Sequence, residues 1–264
     1  MSERLCVCGL GKVGRPILAM LRQKGFRAVG YDHVPAVSEV SISQAVDQSD
    51  ACIFIVQTPS LPDGSFSNAH LVDALTQFRD AVRLHNRKDY LYIVTSTTTP
   101  GSCDEFRQIV GDNIVYKPEF IRLEFVDRDL LDPAFILIGE GCKAAGDRAE
   151  IIYSLIAQVP VKRMSLLEAE LAKITLNCAL TMKISLANQL HLVAEKLGAS
   201  SKKIMEAVGT DPRIGNAYLT PGWPYSGPCL PRDNRNFQFV AARSGIKAHL
   251  SEAADKINRM VSDE

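Results

Sequence analysis

The sequence predicts an α/β fold in which a parallel sheet covered by helices is followed by a mainly helical domain, the two joined by one long central helix. Three observations carry this. Between residues 4 and 163, short apolar runs of strand length alternate with segments of helical periodicity, the pattern of strand–crossover–strand units. Residues 166–197 then run for 32 positions without Pro or Gly. After them, residues 209–232 are rich in Gly, Pro and aromatic side chains and predict a long loop. The expected domains are residues 1–165 and 166–264.

Taken in order, residues 4–8 predict a strand and 13–24 a helix ending near Gly25. Residues 28–31 predict a second strand, 43–48 a short helix and 51–56 a buried strand. Apolar side chains recur at helical spacing over 71–84, and 90–95 is again a strand. Strands are expected at 113–116, 135–138 and 159–163, with a helix over 143–157 between the last two. Beyond the long helix, Gly198 is the expected C-cap. Shorter helices are expected at 200–208, 233–243 and 247–261.

The composition is that of a globular chain: 264 residues, 46% apolar, 23% charged. Thirty basic residues balance thirty acidic ones, which argues against a nucleic-acid or anionic-membrane partner. The sequence has no apolar run of the roughly 18–20 residues that a membrane span needs, and the N-terminus does not read as a signal peptide. Seven cysteines form no disulfide framework by their spacing, so a reducing, cytoplasmic setting is expected. Cys6 and Cys8 lie two apart on a strand, share one face and do not form a metal clamp. No metal site is expected.

The first strand runs into Gly9-Leu10-Gly11-Lys12-Val13-Gly14. This Gly-x-Gly-x-x-Gly lies between a strand and a helix, the context a dinucleotide site needs. The first Gly permits the tight turn, the second admits a pyrophosphate close to the backbone, and the third lets helix and strand pack. Asp32 ends the second strand, where a carboxylate accepts from ribose hydroxyls and repels a 2′-phosphate, so NAD is expected rather than NADP. The fold expectation is therefore a Rossmann-type sheet domain. Thr58 and Pro59 follow the third strand and Ser96 and Thr97 the fourth, where ligands sit in open parallel sheets. Taken alone, these are also ordinary turn residues.

The second half carries further chemistry. Ser226, Gly227 and Pro228 lead into Cys229, and Asp233 opens a helix; a thiol so placed is a candidate nucleophile. Taken in isolation, the cysteine reads better as a small packed residue. Lys173 and Asn177 are four apart on the long helix and share a face, where an ammonium and an amide can hold a developing oxyanion. Alone they read as a solvated lysine beside a helical asparagine. Lys117-Pro118-Glu119-Phe120 follows the 113–116 strand.

The order of these pieces resembles the UDP-glucose/GDP-mannose dehydrogenase family over nearly the whole chain. The pieces are the glycine fingerprint, Gln57-Thr58-Pro59, Ser96-Thr97, Pro118-Glu119-Phe120, Lys173/Asn177 and Cys229/Asp233. The resemblance implies oxidation of a sugar nucleotide's primary alcohol to a carboxylate with two NAD. It implies Cys229 as the nucleophile of a thiohemiacetal and then a thioester, with Lys173 and Asn177 at the oxyanion. Asp233 and Thr97 would position or activate water, and Glu119 would assist proton transfer. Glu119, Phe120, Ile121, Arg122, Ser226 and Gly227 would line the substrate, and Gly9, Gly11, Lys12, Val13, Gly14, Asp32, Thr58, Pro59, Ser96 and Thr97 the cofactor.

Several positions depart from the family pattern. Leu123 stands where many members carry a second glutamate, with Glu124 beside it. Lys117 stands where Asn is common, and Ser226 replaces the first Gly of a Gly-Gly pair. Residues 33–40 are shorter than usual, which opens the adenosine edge. Typical members also continue into another α/β domain that grips the nucleotide. Here the sequence ends at Glu264, and three readings stand: a piece of a longer protein, a site completed by a neighbouring subunit, or a smaller substrate such as a nucleotide or nucleoside. The polar Ser262-Asp263-Glu264 reads as a natural end. Apolar positions along the long helix, such as Leu171, Ile174, Leu180, Ile184 and Leu190, together with the resemblance, imply a homodimer. A two-electron β-hydroxyacid-type dehydrogenase and a non-catalytic NAD-binding dimer are the alternatives; NADH formed per substrate separates the first of these from the four-electron reading.

Overall fold

Strand β1 (Leu5–Cys8) is buried along its whole length, as a strand covered on both faces must be. Leu5 and Val7 join one apolar cluster with helix α1 (Gly14–Gln23) and helix α6 (Lys143–Ile156). Cys6 and Cys8 join the other, with helices α2 (Ile42–Gln48), α3 (Ala69–Leu84) and α4 (Ser102–Val110). The period-two alternation of side chains thus builds two cores, one on each side of the sheet. This computed structural model describes residues 3–122 and 124–262; Met1, Ser2, Leu123, Asp263 and Glu264 lie outside the described residues.

The other strands are β2 (Ala28–Tyr31), β3 (Ala51–Phe54), β4 (Leu91–Val94), β5 (Ile114–Tyr116), β6 (Ile136–Glu140) and β7 (Val161–Ser165). The sheet order is β2-β1-β3-β4-β5-β6-β7. Strands β1 to β5 are mutually parallel. The expected parallel sheet is present with one reversal: β6 runs antiparallel to β5, pairing Val115 with Glu140 and Tyr116 with Gly139, and β7 runs parallel to β6. A parallel return would carry the chain back along the sheet before it re-entered. Instead residues 117–135, with the short helix α5 (Val126–Leu131), stay at the edge where β5 ends. That keeps Lys117-Pro118-Glu119-Phe120 at the carboxyl edge of the parallel strands.

Helix boundaries follow local chemistry. Ser41 caps α2 in a reciprocal capping box with Gln44. Helices α4 and α5 go beyond the sequence expectation. The signal for α4 is Cys103, Phe106 and Val110 at spacings of three and four, masked by the Thr-Thr-Thr-Pro-Gly turn before it. Aromatic contacts fasten α3 to the sheet: Phe78 meets Phe54 and Tyr31 edge-on, with ring centroids 5.1 and 5.5 Å apart.

The chain divides into two compact units, Met1–Pro59 with Phe66–Lys173, and Ser60–Ser65 with Ile174–Glu264. Helix α7 (Leu166–Lys196) supplies its first turns to one and the rest to the other. The second unit adds α8 (Ser201–Gly209), α9 (Leu230–Arg243) and α10 (His249–Ser262). Helix α9 begins three residues earlier than expected. Pro231 falls in its first turn, where a missing N–H costs nothing. Cys229 therefore becomes a helix N-cap and not a loop residue. Among the described residues, no helix is long and apolar enough to cross a membrane.

Candidate active site

The glycine turn has the geometry its spacing implies. Gly9 adopts φ +101°, and a Cβ there would lie 2.5 Å from the Ile55 carbonyl oxygen. A Cβ on Gly14 would lie 1.7 Å from the Gly9 carbonyl oxygen, which is the close helix–strand contact. A Cβ on Gly11 would meet no atom within 4 Å, so the second glycine faces open space where a pyrophosphate can approach. Val13, the N-cap of α1, has no side-chain acceptor for the helix's first amides, which remain suited to an anion. Lys12 is exposed and Val13 half-buried beside them. The Leu10 N–H donates to Asp32 Oδ2 at 2.7 Å, tying that carboxylate to the turn. Gly9, Gly11 and Asp32 line one cavity of about 400 Å³. The residues present therefore fit NAD, whose pyrophosphate the glycines would hold and whose adenosine ribose Asp32 would hold.

The carboxyl ends of β3, β4 and β5 converge within the first unit. Thr58 donates its hydroxyl to the Thr97 carbonyl at 2.7 Å, and Ser96 donates to the Val56 carbonyl at 2.7 Å. Pro59 stands exposed beside them. After β5, Lys117 pairs with Glu119 and lies 4.4 Å from the Tyr153 ring centroid; both charged side chains are nearly buried. Lys173 donates to the Glu119 carbonyl at 2.8 Å and lies 4.8 Å from the Phe120 ring centroid. The lysine predicted on the long helix thus meets the predicted Pro-Glu-Phe segment. Ile121 packs on the core, whereas Arg122 is exposed and donates to Asp129 in α5. Glu124 is exposed, and Leu123 lies outside the described residues.

Sequence reasoning missed Glu170. Its side chain is fully buried and accepts from the Thr98 hydroxyl at 2.8 Å, Gly101 N–H at 2.8 Å and Cys103 N–H at 3.0 Å. Burial pushes its carboxyl up, and the Gly101 N–H acts against that. Glu170 caps α4 from another helix and holds the turn containing Thr97. Its one legible signal is a glutamate three residues before Lys173, on the same helical face.

In the second unit, Asn177 donates to Asp233 Oδ2 at 2.6 Å, and Asp233 is 2% exposed. Asp233 N–H closes the first turn of α9 on the Cys229 carbonyl at 2.9 Å. Ser226 and Gly227, with φ +78° at Gly227, form the exposed approach to that turn. Cys229 is the exposed cysteine among the described residues. Burial pushes the Cys178 thiol up to about 12 and raises Cys52 and Cys103 well above the usual range. Those are packed, inert sulfurs.

Sequence reasoning also missed how the Gly/Pro-rich loop is held. Asn188 on α7 accepts from Gly222 N–H at 2.9 Å and donates to the Trp223 carbonyl at 2.8 Å. Asn177, Thr181, Ser185 and Asn188 form a buried polar stripe at helical spacing. Thr181 bonds Asn234 at 3.3 Å and Ser185 donates to the Ala254 carbonyl at 3.2 Å.

A glycine cradle heading the first helix of a doubly wound sheet defines a dinucleotide-binding, Rossmann-type protein. Residues 34–157 match the UDP-glucose/GDP-mannose dehydrogenase family, NAD binding domain, and residues 167–260 match that family's central domain. UDP-glucose 6-dehydrogenase AglM of Haloferax volcanii is 29% identical over 96% of this chain and 69% of that protein. YtcA of Bacillus subtilis is 30% identical over 97% of this chain and 67% of its own. A solved UDP-glucose dehydrogenase from the hyperthermophilic archaeon Pyrobaculum islandicum is similar at a TM-score of 0.90. It is 28% identical and covers 98% of this chain and 68% of that one. The chain belongs to the UDP-glucose/GDP-mannose dehydrogenase family, and the cofactor of its first domain is NAD. It spans about half to about two thirds of the length of the curated relatives it matches.

Proposed function

We propose that the protein is an NAD-dependent dehydrogenase that oxidises the primary alcohol of a sugar nucleotide, or of a smaller nucleotide or nucleoside, to a carboxylate in two steps. NAD, when bound, supplies the hydride acceptor for each oxidation. Cys229 Sγ adds to the aldehyde carbon left by the first oxidation, giving a thiohemiacetal. The second oxidation leaves a thioester, and water breaks its C–S bond to release the acid and restore the thiol. A covalent hold keeps the reactive aldehyde from escaping between steps. Lys173 and Asn177 stabilise the oxyanion. Asp233 and Thr97 position the water, and Glu119 takes and returns the proton.

The observation that carries this reading is the start of α9. An exposed thiol occupies the N-cap, where the helix dipole favours negative charge, and a buried carboxylate bonded to Asn177 follows one turn later. The homodimer is supported by Leu186 and Val193 on α7 and Leu197 just beyond its end, each at least half exposed.

The test is incubation with NAD and a panel of UDP- and GDP-sugars, nucleotides and nucleosides. Two NADH per substrate and a mass gain of about 14 Da mark the acid; one NADH and a loss of about 2 Da mark a two-electron enzyme. Cys229→Ala should form no acid, and full acid formation by that variant would sink the covalent scheme.

A further inference from the structure

The cavity beside Asp32 has walls of two chemical kinds. One is backbone and apolar, formed by Gly9, Ile55 and Val56. The other is helix α3, which turns His70, Asp73, Ala74 and Gln77 toward the cavity at helical spacing. The neighbouring stripe of α3, Leu71, Leu75 and Phe78, is fully buried in the core, so the orientation of the polar stripe is set by packing. At about 400 Å³ the cavity is of small-ligand size. Asp32, His33 and Gln57 add polar groups at the rim, and an apolar floor with polar walls suits a purine, whose faces are apolar and whose edge is polar.

Within that wall, Gln77 Nε2 donates to Asp73 Oδ2 at 2.8 Å. A carboxylate only accepts, so this bond fixes which end of the Gln77 amide faces Asp73. The amide has a second N–H and a carbonyl oxygen to offer a ligand. That donor–acceptor pair complements adenine, which presents its N6 amino group as donor beside a ring nitrogen as acceptor. At the N1 edge, hypoxanthine and guanine present a carbonyl at C6 beside an N1–H donor, the reverse of adenine's pattern there. Matching them needs the amide turned over, which would set Gln77 Oε1 against the Asp73 carboxylate. Burial raises the Tyr31 phenol, and the nearby Cys8, Asp73 and Asp32 add to the effect, so Asp73 is felt inside the cavity.

We propose that Gln77, its amide locked by Asp73, reads the adenine edge of the dinucleotide and confines the site to adenine-containing cofactors. This rests on the assignment of NAD to the glycine cradle and adds a base-reading pair to it. Both side chains are on the exposed face of α3, so substitution there leaves the core intact.

The experiment is calorimetric titration of the full chain with NAD and with nicotinamide hypoxanthine dinucleotide. The native protein should bind NAD about tenfold or more tightly than the hypoxanthine analogue. Asp73→Asn admits either orientation of the amide, so it should keep NAD affinity within about threefold while the preference falls below about threefold. Gln77→Leu should also erase the preference. Equal affinity of the native protein for the two dinucleotides overturns the proposal, as does a preference that survives both substitutions. Binding of neither dinucleotide by the native protein overturns the cofactor assignment and this inference with it.

Discussion

Gly11 and Gly14 belong to one six-residue turn, yet an added methyl group would meet different surroundings at each. At Gly14 it would collide with the Gly9 carbonyl, so Gly14→Ala should destabilise the fold by about 3 kcal/mol. At Gly11 it would point into the open cradle. Gly11→Ala should leave thermal stability within about 0.5 kcal/mol and weaken NAD binding by about tenfold or more. Unfolding curves and titration of the two variants separate the roles. Asp50 gives a pH signature. Arg4 donates to both of its oxygens, Nη2 at 2.8 Å and Nε at 3.1 Å. With the Arg4 N–H and the Arg87 charge, this holds the carboxyl down at about 2 against an ordinary 3.8. A depressed carboxyl stabilises the fold fully above its ordinary value and loses that contribution as pH falls through the folded one. For a side chain about one-third exposed the effect is on the order of 1–2 kcal/mol. Asp50→Asn should therefore cost that much at pH 7 in urea unfolding, and the difference should close as pH falls from about 4 to 2.

At the scale of elements, α7 presents a stripe of hydrogen-bonding groups where an amphipathic helix would bury apolar ones. Asn188 is the clearest case, because it satisfies both Gly222 N–H and the Trp223 carbonyl. Asn188→Leu would leave those groups without this partner and should cost about 2–3 kcal/mol. If that cost comes from release of the loop before Cys229, protease cleavage in residues 210–228 should rise before global unfolding. Unchanged cleavage there would mean that Asn188 does not hold the loop. Most elements were legible because their signals are local: short apolar runs for the strands, helical spacing of apolar side chains along α3, and absence of Pro and Gly along α7. The reversal of β6 was not legible, since strand direction depends on how residues 117–135 travel. The start of α9 was not legible either, since Pro231 reads as loop and only its place in the first turn makes it compatible with a helix.

For the whole molecule, the exposed stripe of Leu186, Val193 and Leu197 should be covered by a second copy. Sedimentation equilibrium should give twice the chain mass, and Leu186→Lys with Val193→Lys should return the monomer while thermal unfolding stays cooperative. A native monomer would remove the dimer. Stoichiometry is the other whole-molecule measurement: two NADH per substrate is expected.

The sequence by itself determined the cofactor and the family. Glycine spacing, a terminal aspartate and short motifs in a fixed order are properties of the chain, and each acts through neighbours a few residues away. It also brought out the residues proposed as reactive: Lys173, Asn177, Glu119, Cys229 and Asp233 were legible as residue types in local patterns. Their partners were not. Glu170 bonding to Thr98, Gly101 and Cys103, Asn177 to Asp233, Lys173 to the Glu119 carbonyl, and Asp50 to Arg4 all join residues far apart in sequence. Only the tertiary structure decided them, because burial compels a polar group to find a partner and the fold alone decides which one lies within reach.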